Sequence, residues 1–305
     1  MKCGKQTARP YGPGRWHCNA CRYTFRPHKK HRHADRRWLL SYLLDGSPFR
    51  RLGVRWGVSG TTAWRRIQRT QDARIKTGIL VVRSACRDVR ILMLDGKHFM
   101  IRKKPFTLYV AFDAERKIPV AWIFLPRYEF RDGYDRLLAH LVRENAAVTG
   151  IVSDWGTGVR SSVHDHFPDV VHQHCAFHVL ADILRKLGGR RFIHTDYGKD
   201  LWHRVRRVGI GCDTLAEAKQ ALGALKRTHP GYLRVWNIFD RQLPSIYEFT
   251  KVPLLTEFRT SNRMENFMGV LEQRLKSFRT MKTSDTCIKI ISSFIAAKYK
   301  SATKK

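Results

Sequence analysis

The stretch "VRILMLDG", Val89–Gly96, is an apolar run that ends in an aspartate and a glycine. Its length and its branched aliphatic residues are typical of a buried strand, and the final glycine is typical of a turn. Two further runs follow, "FTLYVAFDAE" at 106–115 and "IPVAWIFLP" at 118–126, and the turn between them is short enough for a hairpin. The three stretches predict three consecutive antiparallel strands.

The next segment alternates between helices and strands. We expect a helix over about 133–145, a buried strand in "TGIVSDWGTG" at 149–158, a short helix, and a strand in "DVVHQH" at 169–174. The order strand, strand, strand, helix, strand, helix, strand is the one that a ribonuclease-H-like fold needs, and its βαβ steps should be right-handed. We therefore predict an α/β domain over 88–305 with a mixed five-stranded sheet and helices.

The charge of the chain indicates a polyanionic partner. The 305 residues include 58 Lys and Arg against 25 Asp and Glu, a net charge of +33. The excess is uneven, because Met1–Arg83 holds 20 basic and 3 acidic residues, a net of +17. Such a charge would repel itself in a compact fold unless nucleic acid relieved it, so the N-terminal part is predicted to contact DNA or RNA.

Membrane and secretory functions are disfavoured by the apolar pattern. No run of about 18 apolar residues is present, and the first 30 residues lack the apolar centre of a secretory signal. We expect a soluble cytoplasmic protein that associates with the nucleoid and not with a membrane, and whose seven cysteines are reduced.

Two helical regions complete the domain at 88–305. Residues from about 187 to 255 are helical in pattern, basic and tryptophan-containing, and they predict an all-helical insertion. The stretch "SNRMENFMGVLEQRLK" at 261–276 predicts a helix that covers the sheet with an apolar stripe. Arg274 and Lys276 lie off that stripe and are candidates for contact with DNA.

Residues 33–75 have the pattern of a DNA-binding helix-turn-helix. In "VSGTTAWRRIQ" at 58–68, Ser59 is a good N-cap, and Val58, Ala63 and Ile67 can face inward. The second helix of such a motif presents its first residues to base edges in the major groove. The candidates for contact with DNA are Ser59, Thr61, Thr62, Arg65, Arg66 and Arg69. The alternative is a three-helix packing module with a solvated basic face.

Residues 1–30 resemble part of a zinc ribbon. Cys18 and Cys21 have the C-x-x-C spacing that places two thiolates at adjacent corners of a zinc tetrahedron, and Cys3 is a third candidate ligand. Other candidates for a structural Zn²⁺ are His17 and His28. The alternative is a disordered basic tail with incidental cysteines.

Three acids stand at special points of the predicted fold. Asp95 lies in or just after the first strand and Asp154 at the carboxyl end of the fourth, and these two strands are neighbours in a ribonuclease-H-like sheet. Glu265 lies near the start of the covering helix and could reach the same edge. Three oxygen donors on rigid elements suit one or two Mg²⁺ ions, which can stabilise the attacking and leaving oxygens of phosphoryl transfer.

Each of these acids also has a purely structural explanation. Asp95 could form a strand-ending turn, and Asp154 could cap the short helix that follows it. Glu265 stands three residues after Asn262, which is the spacing of a capping box. Asp113 is a possible substitute in the triad, although its place in the hairpin favours a turn role.

The stretch "VVHQHCAFHVL", Val170–Leu180, contains four potential metal ligands, His172, His174, Cys175 and His178. A zinc site built from all four is disfavoured, because adjacent residues reach four tetrahedral corners with difficulty. A structural role of the cysteine and histidine is another alternative. His178 could instead neutralise or orient a phosphate, because histidine gains a proton near neutral pH.

Together these features resemble the DDE transposases of bacterial insertion sequences, in the Mutator-like group, over nearly the whole chain. The residues that carry the resemblance are Asp95, Asp154, Cys175, His178 and Glu265. The C-x-x-H motif between the second aspartate and the glutamate is its most discriminating part. The zinc-ribbon-like segment and the helix-turn-helix also resemble the N-terminal part of such enzymes.

The resemblance implies that Asp95, Asp154 and Glu265 bind two Mg²⁺ or Mn²⁺ ions, and that Cys175 and His178 flank the active crevice. It implies a ribonuclease-H-like catalytic core whose helical insertion contacts transposon DNA. The expected partners are the inverted repeats of the element and a double-stranded target, bound by a homo-oligomer. The expected reactions are cleavage at the 3′ ends and strand transfer.

Two other functions fit parts of the same pattern. One is a non-enzymatic regulator that binds DNA through the helix-turn-helix and the zinc ribbon, without divalent-ion-dependent cleavage. The other is a ribonuclease-H-like nuclease or junction resolvase, which would cut nucleic acid without joining ends. Strand joining discriminates between these functions and transposition.

Overall fold

The structure is a computed structural model of the 305-residue chain. It describes residues 8–10, 15–25, 41–43, 45–70, 87–156, 158–277 and 283–302. The chain divides into two compact units, Met1–Thr70 and Gln71–Lys305.

The first unit contains a small sheet and a pair of helices. Strands β1 (Ala8–Pro10), β2 (Trp16–Cys18) and β3 (Thr24–Phe25) pair antiparallel in this order. Helices α1 (Phe49–Arg55) and α2 (Gly60–Thr70) follow, and residues 41–43 before them are helical. Separate domains at 1–30 and 33–75 stay a prediction.

The start of α2 follows the sequence pattern. The Ser59 hydroxyl accepts a hydrogen bond from the Thr62 amide at 3.1 Å, so Ser59 caps the helix as predicted. Ala63 and Ile67 are fully buried, also as predicted, whereas Val58 is only partly buried. The pair of helices and the short turn between them are compatible with a helix-turn-helix, and its DNA-reading role stays a prediction.

The second unit is built on a mixed five-stranded sheet. Its strands are β4 (Ile91–Ile101), β5 (Lys104–Asp113), β6 (Ile118–Leu125), β7 (Gly150–Ser153) and β8 (Val171–His174). The spatial order is β6-β5-β4-β7-β8, in which β4 pairs antiparallel with β5 and parallel with β7. This confirms the predicted α/β class with a mixed five-stranded sheet, and the arrangement is compatible with a ribonuclease-H-like fold.

Strand β4 is longer than its sequence predicts. We expected it to end at Gly96, but its antiparallel pairing with β5 continues from Leu92 to Ile101. Pairing with β7 stops at Leu94. The second half of β4 therefore has a strand partner on one side only, and its polar and exposed residues hide the strand from a search for apolar runs.

Helices cover both faces of the sheet. On one face, α3 (Arg131–Arg143) and α4 (Val159–His166) pack on a core that includes Leu92, Leu94 and Leu138. On the other face, Phe112 of β5 contacts Phe267 of α9 (Asn262–Ser277), and the ring centroids are 5.6 Å apart. The helices α5 (Ala176–Lys186) and α10 (Ser284–Ala302) belong to the same unit.

The chain between α5 and α9 consists of helices and helical turns, as predicted for the insertion at about 187–255. The helices are α6 (Asp196–Arg206), α7 (Leu215–Thr228) and α8 (Leu233–Ile246). Shorter helical turns begin at Gly189 and end at Phe258, so the helical region extends a few residues beyond the predicted end. Over the described ranges, no helix combines the length and the apolar content needed to cross a bilayer.

Candidate active site

The register of the parallel strands brings two of the predicted acids together. Leu94 of β4 pairs with Ser153 of β7, so Asp95 and Asp154 are the next residues on adjacent strands. Asp95 lies inside β4, opposite Val110 of β5. The proposal that Asp95 only forms a strand-ending turn is therefore wrong, because the strand continues through it.

Asp154 occupies the turn between β7 and α4. One of its carboxylate oxygens, Oδ1, accepts a hydrogen bond from the Gly156 amide at 2.9 Å. The helix itself begins at Val159 and is preceded by Gly158 in a left-handed conformation. Asp154 thus lies before the helix cap, and the hydrogen bond to Gly156 orients its carboxylate at the sheet edge.

The ionisation of Asp95 is unusual. Its pKa is raised to about 7, mainly by burial, then by the Asp154 carboxylate and to a smaller extent by Glu129. The nearby His178 acts in the opposite direction. Several carboxylates therefore repel one another in a poorly solvated region. A cation beside them would favour the ionised form of Asp95.

Glu265 lies in the first turn of α9 and is held by Ser261. The Ser261 hydroxyl donates to Glu265 Oε1 at 2.7 Å, and the Ser261 amide donates to Cys175 Sγ at 3.2 Å. Cys175 is fully buried directly before α5. Because α9 begins at Asn262, the residue that precedes the helix is Ser261, and the predicted capping box from Asn262 is not the contact that holds Glu265.

His178 lies one turn into α5 and faces Glu265. Its Nδ1 is 4.0 Å from Glu265 Oε1, beyond the length of a direct hydrogen bond. The Cys175 side chain raises the pKa of His178 to about 9 against the effect of burial, and Asp154 and Glu265 add to the shift. His178 is therefore protonated at neutral pH. The donor atoms of Cys175, His178 and Glu265 all lie within 4.8 Å of one another.

The two histidines of β8 have other roles. His172 Nε2 lies 2.8 Å from the Ser153 hydroxyl, and the His174 ring stacks on Trp155 with centroids 5.0 Å apart. Burial lowers the pKa of His172 to about 3 and the pKa of His174 to about 4, so both rings are neutral. A zinc site that combines both histidines with the C-x-x-H pair is not supported, because over the described residues the donor atoms that cluster with Cys175 and His178 are those of Glu265 and not of His172 or His174.

Glu129 is a fourth acid at the site, and it was not among the residues predicted from the sequence. It lies in the loop between β6 and α3, and only 15% of its side chain is exposed. The Tyr134 hydroxyl donates to Glu129 Oε1, and His98 Nε2 lies 3.3 Å from Glu129 Oε2. Burial raises the pKa of Glu129, and so does Asp154. The one feature of the sequence that could have identified Glu129 is that it is an acidic residue shortly after a buried strand.

These groups line one open cleft of about 660 Å³. Its carboxylates include Asp95, Glu129, Asp154 and Glu265, and His178 lies beside them. All of these donors except His178 are hard oxygens on strands, on a helix or in short clamped loops, which is the chemistry that Mg²⁺ and Mn²⁺ prefer. The residues present therefore fit the divalent cation that the resemblance implies.

Asp113, which was considered as a possible member of the triad, instead stabilises the β5–β6 turn, as its place in the hairpin predicted. Its buried carboxylate accepts hydrogen bonds from the amides of Glu115 and Arg116 at 2.9 Å each. The Arg116 side chain also binds it, at 2.5 Å. These contacts satisfy the carboxylate within the β5–β6 turn.

The zinc candidates of the first unit are described in part. Cys18 is buried at the end of β2, and Cys21 is exposed in the turn that follows. Cys3 and His28 lie outside the described residues. A zinc ion in this segment therefore stays a prediction.

The DNA-binding candidates occupy two helices. On α2, Thr61 and Arg65 are exposed, whereas Thr62 and Arg66 are partly buried. On α9, Arg274 is partly buried. The backbones of Arg69 and Lys276 are helical, and their side chains lie outside the described residues.

No protein-family model matches this chain, and no curated protein matches it. Among solved structures, it is similar to a chain in a cryo-EM structure of the simian T-cell lymphotropic virus intasome in complex with PP2A regulatory subunit B56 gamma. The identity is 13%, the match covers 54% of this chain and 66% of that chain, and the TM-score is 0.24. The match spans just under two thirds of that chain's length. At this TM-score the likeness supports no inference about fold or activity.

Proposed function

We propose that this protein is a DDE transposase that cleaves the 3′ ends of an insertion sequence and joins them to target DNA. The main support is that Asp95, Asp154 and Glu265, which are far apart in the sequence, line one cleft. The protonated His178 beside them adds a positive charge where a phosphate would lie.

In this proposal, Asp95, Asp154 and Glu265 hold divalent metal ions. Mg²⁺ or Mn²⁺ bound there would lower the pKa of a water molecule and stabilise negative charge on the phosphate. The strands β4 and β7 fix two of the carboxylates, and the Ser261 hydroxyl orients the third. His178 is a positioning group for the phosphate, and Cys175 holds His178 and Ser261 in place.

The proposed reactions are two in-line displacements at phosphorus. In the first, a water oxygen attacks the phosphodiester at the transposon end, and the 3′ oxygen leaves as a hydroxyl. In the second, this 3′ hydroxyl attacks a phosphodiester of the target, and a new phosphodiester replaces the one that breaks. The number of phosphodiester bonds is unchanged in the second step, so no external energy source is needed.

The basic elements would hold the DNA. The exposed Thr61 and Arg65 of α2 would contact transposon ends, while Arg274 of α9 and the helical region between α5 and α9 would contact DNA near the cleft. A homo-oligomer would bring two ends to one target.

The test is cleavage and strand transfer on end-containing DNA with Mg²⁺ or Mn²⁺. We expect Asp154→Asn and Glu265→Gln to lower both rates by about a thousandfold or more while DNA binding is kept. Glu115→Gln, which changes an acid paired with Arg90 at the β5–β6 turn, is the matched control and should stay active. Binding without cleavage by the unaltered protein would favour the regulator. Cleavage without joining would favour the nuclease.

A further inference from the structure

Glu129 is held in the cleft by two buried tyrosines. The Tyr134 hydroxyl donates to its carboxylate, and the Tyr109 hydroxyl accepts a hydrogen bond from the Phe130 amide at 2.8 Å. Both tyrosines are fully buried and pack edge to face, with ring centroids 5.0 Å apart. The side chain of Glu129 and the backbone directly after it are thus both fixed, although they belong to a loop.

Strand β4 leaves space for this carboxylate at Gly96. A Cβ atom at position 96 would lie 2.6 Å from Glu129 Cδ and 2.8 Å from both of its carboxylate oxygens. Gly96 directly follows Asp95 in β4. The backbone of β4 therefore accepts Glu129 next to a predicted metal ligand only because position 96 has no side chain.

The contacts of Glu129 differ from those of Glu272, which lines the same cleft, and from those of Asp113 in the β5–β6 turn. Glu272 is paired with the Lys97 ammonium at 2.9 Å, and Asp113 is paired with Arg116. The ion-pair contact that the structure gives for Glu129 is the half-exposed His98, at 3.3 Å. A mostly buried carboxylate among other carboxylates is costly unless a cation lies beside it.

We propose that Glu129 is a fourth metal-binding carboxylate, which together with Asp95 and Asp154 holds one of two divalent ions. Glu265, on the side of His178, belongs to the other ion. This inference rests on the proposed function, because it assigns a further ligand to the same metal centre. Three observations support it. The Tyr134 hydroxyl holds the Glu129 carboxylate, Gly96 leaves room for that carboxylate beside Asp95, and Glu129 lines the same cleft as the two aspartates.

The experiment measures Mn²⁺ binding to the full chain by titration calorimetry and by electron paramagnetic resonance of free Mn²⁺. Mn²⁺ suits carboxylate sites and therefore reports on the cleft more than on cysteines. We expect Glu129→Gln to weaken the binding of one equivalent by about tenfold or more. Glu272→Gln, which removes the same charge from the same cleft, should stay within about twofold of the unaltered protein. A thermal melt of each variant checks its folding.

A second variant covers the case in which Glu129→Gln does not fold. Tyr134→Phe keeps the carboxylate but removes the hydroxyl that orients it, and it should weaken the same equivalent by a few-fold. The inference is overturned if both variants, or the folded one of them, bind Mn²⁺ as the unaltered protein does while Asp154→Asn loses binding. An Asp154→Asn protein that binds Mn²⁺ normally would instead refute the metal centre, and with it the proposed function.

Discussion

Glu129 and Glu265 line the same cleft as Asp95 and Asp154 but stand on two different walls, and the two walls are built from different interactions. The α3 wall, defined by Glu129 and Tyr134, is fixed by buried aromatic rings that pack between helix and sheet. The α9 wall, defined by Ser261 and Glu265, is fixed by hydrogen bonds that include the Cys175 thiol.

This difference predicts where substitutions act. Rings in a close-packed core tolerate little change of volume, so damage to the α3 wall should appear as lost stability. Each hydrogen bond of the α9 wall contributes about 1 kcal/mol to the free energy of unfolding. Substitutions there should therefore change the orientation of the site residues more than the stability of the fold. The four predictions below test this contrast.

The largest effect is expected from Gly133→Ala in α3. A Cβ atom at this position would lie 2.1 Å from Cζ of Tyr109, which is fully buried. The helix or the ring must move, which would displace Glu129 as well. We expect the free energy of unfolding to fall by about 3 kcal/mol, measured by urea denaturation.

The matched control for this prediction is Gly269→Ala in α9. A Cβ atom there would meet no atom within 4 Å. Replacing a helical glycine by alanine should then leave stability unchanged or raise it by about 0.5 to 1 kcal/mol. Equal losses in the two variants would contradict the proposed difference between the walls.

The second prediction concerns pH. The pKa of Asp95 is raised from 3.8 to about 7, so the metal-free folded protein holds a proton that the unfolded chain has released. Its stability therefore falls as pH rises between these values. Metal binding needs the ionised carboxylate, so Mn²⁺ affinity should rise about tenfold from pH 6 to pH 8.

The two walls should affect this pH window differently. Glu129 contributes to the raised pKa of Asp95, so Glu129→Gln should move the midpoint of the affinity change to lower pH. Glu265 is not among the groups that raise this pKa, so Glu265→Gln should leave the midpoint in place although it weakens binding. A shift of the same size in both variants would argue against the assignment of the two glutamates to separate walls.

The acid of the α9 wall, Glu265, was predicted from the sequence, whereas the acid of the α3 wall, Glu129, was not, and the reason is physical. Asp95 ends an apolar run, Asp154 follows a strand, Glu265 lies in the first turn of a helix, and the C-x-x-H pair forms a short motif, so local spacing alone identifies them. Glu129 lies in a loop without a motif. Its importance depends on Tyr109, Tyr134 and Gly96 meeting in three dimensions, which no local pattern encodes.

The fold was predictable to a similar extent. Apolar runs predicted the five strands in their chain order, because most residues of β5, β6 and β7 and of the first half of β4 are buried. The same signal failed for the second half of β4, where pairing with β5 alone leaves residues such as His98 and Met100 exposed. Hydrogen bonds between backbones maintain the strand there, and they leave no mark in the sequence.

A smaller effect is expected from Ser261→Ala on the α9 wall. The substitution removes the hydrogen bond to Glu265 and should lower stability by about 1 kcal/mol, measured by denaturation. Strand transfer should slow by a few-fold because the carboxylate is less well oriented. Ser245→Ala is the control, because that hydroxyl bonds to Gln242 within α8. A normal transfer rate in Ser261→Ala would show that Glu265 needs no such orientation.

The smallest effect is expected for the ion pair between Lys97 of β4 and Glu272 of α9. The atoms are 2.9 Å apart, but 37% and 28% of the side chains are exposed, so water screens the pair. A double-mutant cycle with Lys97→Ala and Glu272→Gln should give a coupling energy of about 0.5 kcal/mol, and less at high salt. A coupling energy above about 2 kcal/mol would mean that water screens Lys97 and Glu272 much less than the exposure of their side chains implies. The α9 wall would then depend on an ion pair as well as on the hydrogen bonds of Ser261, and the contrast with the aromatic α3 wall would be sharper.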